Sequence, residues 1–235
     1  LKRLEYRGYD SAGGTWFNPD ENEIFCVKSV GRINLLEEKI ENCPFALTGS
    51  PFIFHTRWGT HGKINEENAH PHWDCRRNIY LVHNGIVENY KILKEKLIEE
   101  GHKFLSETDT EILSHLIEKF FQGNLEEAVI KALKFVKGAY GIAVIAKEDP
   151  RKIVVARNSS PILIGVGEGE YLVASDAAAI VGITKKVVYL NDGEIAVLTP
   201  SQFQIQDLNR NRIEKTIEEI DWDLEDAQKD GFAHF

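Results

Sequence analysis

Hydrophobic residues form short runs, often alternating with polar ones, in nine stretches rich in valine, isoleucine and aromatic side chains. Short runs of this kind are typical of β-strands. They fall into two groups, one in each half of the chain. The predicted strands are Glu23 to Val30, Pro51 to Arg57, Asn78 to His83, Tyr140 to Ala146, Lys152 to Ala156, Pro161 to Val166, Tyr171 to Ala174, Lys186 to Leu190 and Glu194 to Thr199.

Between the two strand groups, apolar residues recur at the spacing of a helix. Gly101 and Gly123 each follow one such segment, and glycine readily adopts the left-handed conformation that ends a helix. Asn124 and Glu127 are spaced as a capping box, so a further helix is predicted from there toward Val136. The apolar faces of the first two helices are Tyr90, Leu93 and Leu97, and Leu113, Leu116 and Phe120.

The order of these elements predicts the fold class. Asn191-Asp192-Gly193 lies between two predicted strands, and an Asp-Gly pair supplies the positive backbone angles of a tight hairpin. We therefore predict an antiparallel meander in the carboxy-terminal half. Strand groups on both sides of a helical pair favour an α+β sandwich over a doubly wound parallel sheet, in which strands and helices would alternate. A chain of 235 residues can form this as one domain.

Composition narrows the classes of partner. Aspartate and glutamate outnumber lysine and arginine by 37 to 28, which gives a formal net charge of -9. A nucleic-acid-binding protein needs a basic surface, so we expect a small-molecule ligand and no nucleic acid. No apolar run approaches the length that spans a bilayer, and the first residues, LKRLEYRG, lack the apolar core of a signal peptide. These features predict a cytoplasmic protein with no membrane partner.

The cysteines and histidines do not match a known ligand spacing. Cys26, Cys43 and Cys75 include no CxxC pair, so we interpret them as packing or incidental residues. Strand alternation is expected to direct His55 away from its polar neighbours. No metal and no cofactor are predicted. Zinc ligands usually come in regularly spaced pairs, and no such spacing occurs among His55, His61, His70, His72, Cys75 and His83.

Polar residues are concentrated at predicted strand ends, where functional sites are commonly built. The four stretches are YRGYDSAG at 6–13, HTRWGTHG at 55–62, NAHPH at 68–72 with HNG at 83–85, and SETDTE at 106–111. In HNG, the Asn84 side-chain amide and the Gly85 backbone N–H can converge on one oxygen as an oxyanion hole. The alternative is a simple turn, for which Asn-Gly is a common pair.

Arg57 and Asp109 have side chains suited to the two charged groups of an amino acid. Arg57 offers a planar fork for a carboxylate, and the neighbouring Trp58 can wall a pocket. Asp109 can pair with an ammonium group. The alternatives are a surface ion pair for Arg57 and a helix cap for Asp109.

The four stretches, in this order and with KGAYGIAVI at 137–145 and SPILIG at 160–165, resemble the glutaminase domains of the glucosamine-6-phosphate synthase family. These domains are class II glutamine amidotransferases, and the resemblance covers nearly the whole chain. The amidophosphoribosyltransferase branch is the second possibility, because it is similar but carries other residues at Tyr9, Trp58 and the AHPH of 69–72.

The resemblance implies an N-terminal nucleophile hydrolase fold, a four-layer αββα sandwich of two antiparallel sheets. It also implies a pocket for L-glutamine whose residues come from the motifs above. In that pocket Arg57 would hold the α-carboxylate, Asp109 and Thr60 would bind the α-amino group, Trp58 and His61 would line the walls, Asn84 and Gly85 would form the oxyanion hole, and Arg7 would support the neighbourhood of the nucleophile.

The mechanism implied by the resemblance uses an amino-terminal cysteine that the 235 residues do not contain. Its thiol would attack the glutamine side-chain amide, with its own α-amino group as general base. Ammonia would then pass to a sugar-isomerase region that converts fructose 6-phosphate to glucosamine 6-phosphate. We therefore interpret residues 1–235 as a single glutaminase domain, without its cysteine-bearing strand and the isomerase domains, from a homo-oligomeric enzyme. A non-catalytic glutamine-binding module is the alternative.

Overall fold

The computed structural model describes residues 1–43, 47–59 and 62–221. Its helices are α1 (Ile33–Glu41), α2 (Tyr90–Glu99), α3 (Glu111–Phe120) and α4 (Leu125–Leu133), with 3₁₀ helices at Lys2–Arg7 and Ala177–Ala179. Its strands are β1 (Ser11–Asn18), β2 (Glu23–Val30), β3 (Phe52–Arg57), β4 (His72–Trp73), β5 (Ile79–Val87), β6 (Gly138–Ala146), β7 (Ile153–Asn158), β8 (Leu163–Val166), β9 (Tyr171–Ala174), β10 (Lys186–Tyr189), β11 (Glu194–Leu198), β12 (Phe203–Asp207), β13 (Arg212–Ile213) and β14 (Glu218–Glu219). No helix in these ranges is long and apolar enough to cross a membrane.

A seven-stranded antiparallel sheet, in the order β13-β12-β11-β7-β6-β5-β4, lies at the centre of the molecule. Alternate residues of each strand point to opposite faces of a sheet. Ile79 and Leu81 of β5 therefore pack with helices α2, α3 and α4, whereas Tyr80 and Val82 belong to the apolar cluster on the other face. Each fully buried side chain of this size contributes about 1.5–3 kcal/mol.

The second sheet layer consists of two separate sheets, one of three strands (β2-β1-β3) and one of four (β14-β10-β8-β9). Both contribute apolar residues to clusters shared with the seven-stranded sheet, such as Ile53 with Val82 and Ile164 with Val155. Helix α1 packs on the outer side of the three-stranded sheet through Leu36. The α+β sandwich is thus confirmed. Two sheets were expected, whereas the structure has three, because the second layer is divided into two sheets.

The helical predictions agree with the structure. Gly101 and Gly123 follow α2 and α3 with φ angles of 97° and 85°, in the left-handed region. The Asn124 side chain accepts a hydrogen bond from the backbone N–H of Glu127 and so caps α4.

The strand prediction is incomplete, because β1, β4 and β12 to β14 are not among the predicted strands, and it is wrong at one turn. Strand β1, whose eight residues are all buried, was not predicted, because SAGGTWFN lacks a clear apolar alternation. The turn at Asn191-Asp192-Gly193 does not join paired strands, since β10 pairs with β8 and β11 pairs with β7 and β12. The turn instead connects two sheets. It is held against the end of β7, where Gly193 donates to the Arg157 carbonyl at 2.8 Å and Asp192 accepts from the Ser159 N–H at 2.8 Å.

Candidate functional site

The charged and polar residues of the predicted pocket lie at the ends of β3 and β5 and just before α3. Strand β3 belongs to the three-stranded sheet and β5 to the seven-stranded sheet. The two sheets pack face to face through an apolar cluster that includes Phe17, Ile53, Val82 and Ile145. Burial of this cluster therefore fixes how the two strand ends face each other.

Arg57 is the last residue of β3 and is buried, with 6% of its surface exposed. The chain on either side is fixed, because the Asp10 N–H donates to the Arg57 carbonyl at 3.1 Å and the Gly59 N–H donates to Asp10 Oδ2 at 2.7 Å. Burial lowers the pKa of Arg57, and the carboxylates of Asp10 and Asp109 oppose this effect. Since a guanidinium keeps its proton in proteins, Arg57 places a positive charge inside the protein.

Two aromatic rings lie beside this arginine. Tyr9 and Trp58 are 49% and 57% exposed, and their ring centroids are 5.6 Å apart. Aromatic rings open to solvent next to a buried charge can cover an incoming ligand. The position of Trp58 is compatible with the pocket-lining role implied by the resemblance.

Asp109 immediately precedes the N-cap of α3 and is 7% exposed. Its Oδ2 accepts a hydrogen bond from the Val87 N–H at the end of β5, at 2.7 Å. The structure does not show the alternative role as a helix cap, because Thr110 occupies the N-cap position. Asp109 therefore joins β5 to α3, and its charge acts on Arg57.

Asn84 and Gly85 lie within β5, opposite Gly141 and Tyr140 of β6, so the turn alternative for HNG is wrong. The strand continues beyond His83 because Gly85 adopts a φ of 134° and so keeps its pairing with β6. A Cβ at position 85 would lie 2.1 Å from the Ala139 carbonyl oxygen. Only glycine fits this backbone, and the residue remains exposed to an approaching ligand.

His55 holds the side chain of Asn84. Its Nε2 lies 3.0 Å from Asn84 Oδ1 and donates to it, so the amide oxygen is engaged and the NH₂ group faces away. The other ring nitrogen of His55 is buried and has no hydrogen-bond partner among the described residues, which suits an unprotonated nitrogen. The expectation that His55 points away from polar neighbours is therefore wrong, because its ring meets the facing sheet.

Four histidines, His55, His70, His72 and His83, form a buried group. The rings of His55 and His70 stack with centroids 4.1 Å apart, while His72 and His83 lie 3.1 and 3.0 Å from the hydroxyls of Thr108 and Thr110, respectively. Burial lowers the pKa of His55 to about 4 and also lowers the pKa values of the other three rings. These imidazoles are therefore neutral near pH 7, and Arg57 remains the cation of the site.

Arg7 precedes these residues in the sequence and ends the 3₁₀ helix Lys2–Arg7. Its Nη1 donates to Asp176 Oδ2 at 3.2 Å, and Tyr6 donates to the same oxygen at 2.7 Å. This contact connects the chain start to the 3₁₀ helix Ala177–Ala179 next to the four-stranded sheet. The supporting role of Arg7 near a nucleophile stays a prediction.

The structure thus brings Arg57, Asp109 and the Asn84-Gly85 pair to one part of the sandwich. The predicted pocket residues Thr60 and His61 lie outside the described residues. Sequence reasoning missed Asp10 and His55, which position the site rather than form its walls. Asp10 lies in the YRGYDSAG stretch, which was singled out, but the role of Asp10 itself was not predicted. Nothing in the local sequence indicates that His55 bonds to Asn84.

Similarity to known proteins is consistent with this arrangement. Residues 55–182 match the family described as "Glutamine amidotransferase domain". The glutamine--fructose-6-phosphate aminotransferase (isomerizing) of Chlorobaculum tepidum is 47% identical over 240 residues, covering 100% of this chain and 39% of that protein. The same-named proteins of Thermus thermophilus and Aquifex aeolicus are 47% identical, with the chain spanning 38% and 39% of their lengths.

Two solved structures share the fold. Glutamine phosphoribosylpyrophosphate amidotransferase from B. subtilis, complexed with ADP and GMP, aligns with a TM-score of 0.73 and 26% identity, over 89% of this chain and 45% of that one. A structure described as the allosteric regulatory enzyme of purine biosynthesis aligns with a TM-score of 0.75 and 27% identity, over 90% of this chain and 45% of that one.

Proposed function

The chain belongs to the glutamine amidotransferase domain family, and on this basis we propose that it binds L-glutamine at Arg57 and Asp109 to release ammonia from the side-chain amide. The observation that carries the proposal is the enclosed pair of opposite charges. Arg57 matches the α-carboxylate of an amino acid, and Asp109 matches its α-ammonium group.

The amide end of glutamine would then extend toward Asn84 and Gly85. The Asn84 NH₂ group and the Gly85 N–H are the donors that stabilise the oxyanion formed when the amide carbon is attacked. His55 supports this step as a positioning residue, because it fixes the orientation of the Asn84 amide. Trp58 covers the head of the substrate, and the participation of Thr60 and His61 is inferred from the resemblance alone.

The attacking group is the thiol of an amino-terminal cysteine outside these 235 residues. Sulfur forms a bond to the amide carbon, the C–N bond breaks, and ammonia leaves with a proton carried by the cysteine's own α-amino group. Water then hydrolyses the thioester to glutamate and regenerates the thiol. Cys26 does not serve this purpose, because it lies within β2 and has no free α-amino group; burial also raises the pKa of its thiol to about 11.

We propose that the ammonia is used to make glucosamine 6-phosphate from fructose 6-phosphate in a longer protein. The support is the shared name of the relatives at 44–47% identity, which exceeds the 26–27% identity to the two solved structures. The amidophosphoribosyltransferase alternative is less favoured for that reason. The homo-oligomeric state, the cytoplasmic location and the absence of a nucleic-acid partner stay predictions.

Calorimetric titration of L-glutamine into the chain tests the binding step without the nucleophile. We expect saturable binding, and Arg57→Gln should weaken it about 10-fold to 100-fold, because a charged hydrogen-bonded contact contributes about 1.5–3 kcal/mol. Arg212→Gln, at an exposed position of β13, is the matched control and should bind like the native chain. Equal affinity in the Arg57 and Arg212 variants would disprove the assigned carboxylate site.

Glutamate release separates the enzyme from a non-catalytic module. The longer natural protein should convert glutamine to glutamate, whereas the 235-residue chain should bind glutamine without hydrolysing it. Binding without release in a longer protein that begins with the family's cysteine would favour the non-catalytic module.

A further inference from the structure

Four side chains with metal-binding atoms converge outside the glutamine pocket. Cys75 lies in the turn between β4 and β5, His102 follows α2, and His115 and Glu118 lie one turn apart on α3. Their ligand atoms all lie within 4.8 Å of one another. The group shares no residue with the pocket, and three distant parts of the chain meet there.

The spacing of these atoms approaches that of a tetrahedral zinc site. With zinc bonds of about 2.3 Å to sulfur and about 2.1 Å to nitrogen or oxygen, tetrahedral ligands lie about 3.6 Å apart for S···N and about 3.4 Å for N···O. Cys75 Sγ is 3.5 Å from His115 Nδ1 and 3.7 Å from His102 Nδ1. His115 Nδ1 is 3.4 Å from Glu118 Oε2. Among these four distances, the one between His102 Nδ1 and Glu118 Oε2, at 2.9 Å, would have to lengthen, and all pairs of ligand atoms lie within 4.8 Å.

The surroundings orient these atoms as an outer shell does in metal sites. His115 Nε2 lies 3.4 Å from Glu111 Oε1, so this carboxylate holds the Nε2 proton and leaves Nδ1 free to bind a cation. Glu111 is itself fixed by Ser106, whose N–H and hydroxyl each donate to Oε2 at 2.6 Å. Burial raises the pKa of the Cys75 thiol, and the Lys103 N–H opposes this effect by donating to Cys75 Sγ at 3.4 Å.

An ion can reach the group from solvent. A cavity of about 580 Å³ is lined by Cys75, His102 and Glu118. Cys75 is exposed, whereas His115 is 1% exposed and closes the inner side. The group of four side chains is therefore open to solvent on the side of Cys75, and helix α3 fixes His115 and Glu118 on the other side.

We propose that Cys75, His102, His115 and Glu118 bind one Zn²⁺ as a structural site. As the Zn–S bond forms, the Cys75 thiol loses its proton to solvent, and both histidines bind through Nδ1. Sulfur and imidazole ligands select zinc over magnesium or calcium, and four protein ligands leave no open position for catalysis. The ion would tie the β4–β5 turn and the loop after α2 to helix α3.

The proposal goes against the expectation of no metal drawn from the sequence. That expectation was based on residues 55–83 and did not include His102, His115 or Glu118, which only the fold brings to Cys75. It also replaces the interpretation of Cys75 as an incidental residue. The competing explanation is a hydrogen-bonded network in which a protonated His115 lies between Glu111 and Glu118.

Cobalt titration of chelator-treated chain tests the site, with Co²⁺ as a spectroscopic substitute for Zn²⁺. We expect one Co²⁺ per chain, intense visible bands of a tetrahedral ion and a thiolate-to-cobalt band in the near ultraviolet, all removed by added Zn²⁺. Cys75→Ser should lose the near-ultraviolet band, while Cys43→Ser, at another free cysteine, should keep it. The absence of tetrahedral bands, or a near-ultraviolet band unchanged in Cys75→Ser, would overturn the proposal. The hydrogen-bonded network around His115 would then be the better explanation of the cluster.

Thermal melting gives a second measurement that also reports on folding. Because Cys75 is exposed, Cys75→Ser should melt without metal at the same temperature as the native chain. Added Zn²⁺ should raise the Tm of the native chain and of Cys43→Ser by mass action, but not that of Cys75→Ser or His102→Gln. An equal increase in all four proteins would show that zinc binds elsewhere and would refute the assignment.

Discussion

At the scale of single residues, Gly85 is the position in the proposed oxyanion hole that tolerates least change. Its φ of 134° and its contact with the Ala139 carbonyl leave no room for a side chain. The same backbone geometry exposes its N–H side to the ligand, so the requirement for glycine and the proposed function arise from one conformation.

Gly85→Ala should lower the free energy of unfolding by roughly 3 kcal/mol, because left-handed strain and a steric clash add together. Gly123→Ala is the matched control. Gly123 also has a positive φ, but a Cβ there meets nothing within 4 Å, so only about 1 kcal/mol should be lost. Urea unfolding of both variants measures the difference. Equal losses would mean that the Ala139 carbonyl moves aside.

The charge of Asp109 can be tested separately from its hydrogen bond. Asp109→Asn keeps an oxygen that can accept from the Val87 N–H, so the fold should be retained, but the variant loses the partner of the α-ammonium group. We expect glutamine to bind about 10-fold to 100-fold more weakly to it.

A ligand control makes this assignment specific. Glutaramic acid is glutamine without the α-amino group, and it should bind equally to the native chain and to Asp109→Asn. Calorimetry with both ligands provides the comparison. If the variant weakens both ligands alike, Asp109 has a purely structural role.

The sequence identified the chemistry of single residues better than their partners. Arg57 and Asp109 were singled out because a guanidinium fork and a carboxylate match the two charged groups of an amino acid, and the family resemblance favoured this role over a surface ion pair and a helix cap. The bond from His55 to Asn84 was not foreseen, because it depends on how one sheet packs on another. The placement of Cys75 beside two distant histidines was missed for the same reason.

At the scale of elements, polar contacts position the chain start: Glu5 accepts a hydrogen bond from the Ile33 N–H at 3.0 Å, and a side chain of a distant loop, Asp176, holds the end of the 3₁₀ helix. Asp176 accepts hydrogen bonds from Tyr6 and Arg7 and also from the Ala178 N–H. These contacts lower the pKa of the Asp176 carboxyl group, although burial opposes them. The 3₁₀ helix Lys2–Arg7 has no buried residue, so it relies on such polar contacts for its position.

Asp176→Ala should therefore loosen the Tyr6–Arg7 end of the 3₁₀ helix Lys2–Arg7 while leaving the sheets intact. Hydrogen exchange followed by mass spectrometry should show faster exchange in this segment, with little change in β5 and β6. Asp20→Ala, in the exposed turn after β1, is the control and should exchange like the native chain. Unchanged exchange at Lys2–Arg7 in the Asp176 variant would contradict this view of the contact.

Element prediction succeeded where composition and periodicity agreed. β2 and β9 were predicted with their observed ends, because their apolar and β-branched residues stand between clear turns. β1 was missed because two glycines and an alanine in its first half weaken the strand signal. Its pairing on both sides, with β2 and with β3, outweighs that weak local preference.

At the scale of the whole molecule, the sandwich encloses uncharged imidazoles between its layers. Burial depresses the pKa values of His55, His70, His72 and His83 below the ordinary value of 6.5, and that of His55 falls to about 4. The unfolded chain therefore binds more protons than the folded one between these pH values, so acid favours unfolding.

The free energy of unfolding should accordingly be highest above about pH 6.5 and fall steadily as the pH is lowered toward 4. Urea unfolding at constant ionic strength over this range measures the slope. NMR titration of the histidine ring protons should show His55 still neutral near pH 5. A free energy of unfolding that is constant from pH 7 to pH 4.5, or an ordinary titration of His55, would contradict the prediction.

The hydrogen bond from His55 to Asn84 links the proposed site to the packing of the protein core. It crosses from the three-stranded sheet to the seven-stranded sheet, so the orientation of the proposed oxyanion donor, Asn84, depends on the alignment of two layers. We expect a substitution deep in the apolar cluster to shift that alignment and to lower the rate of the proposed reaction before it unfolds the chain. The rate of the proposed reaction would thus report how well the two sheets pack against each other, even for changes far from the pocket.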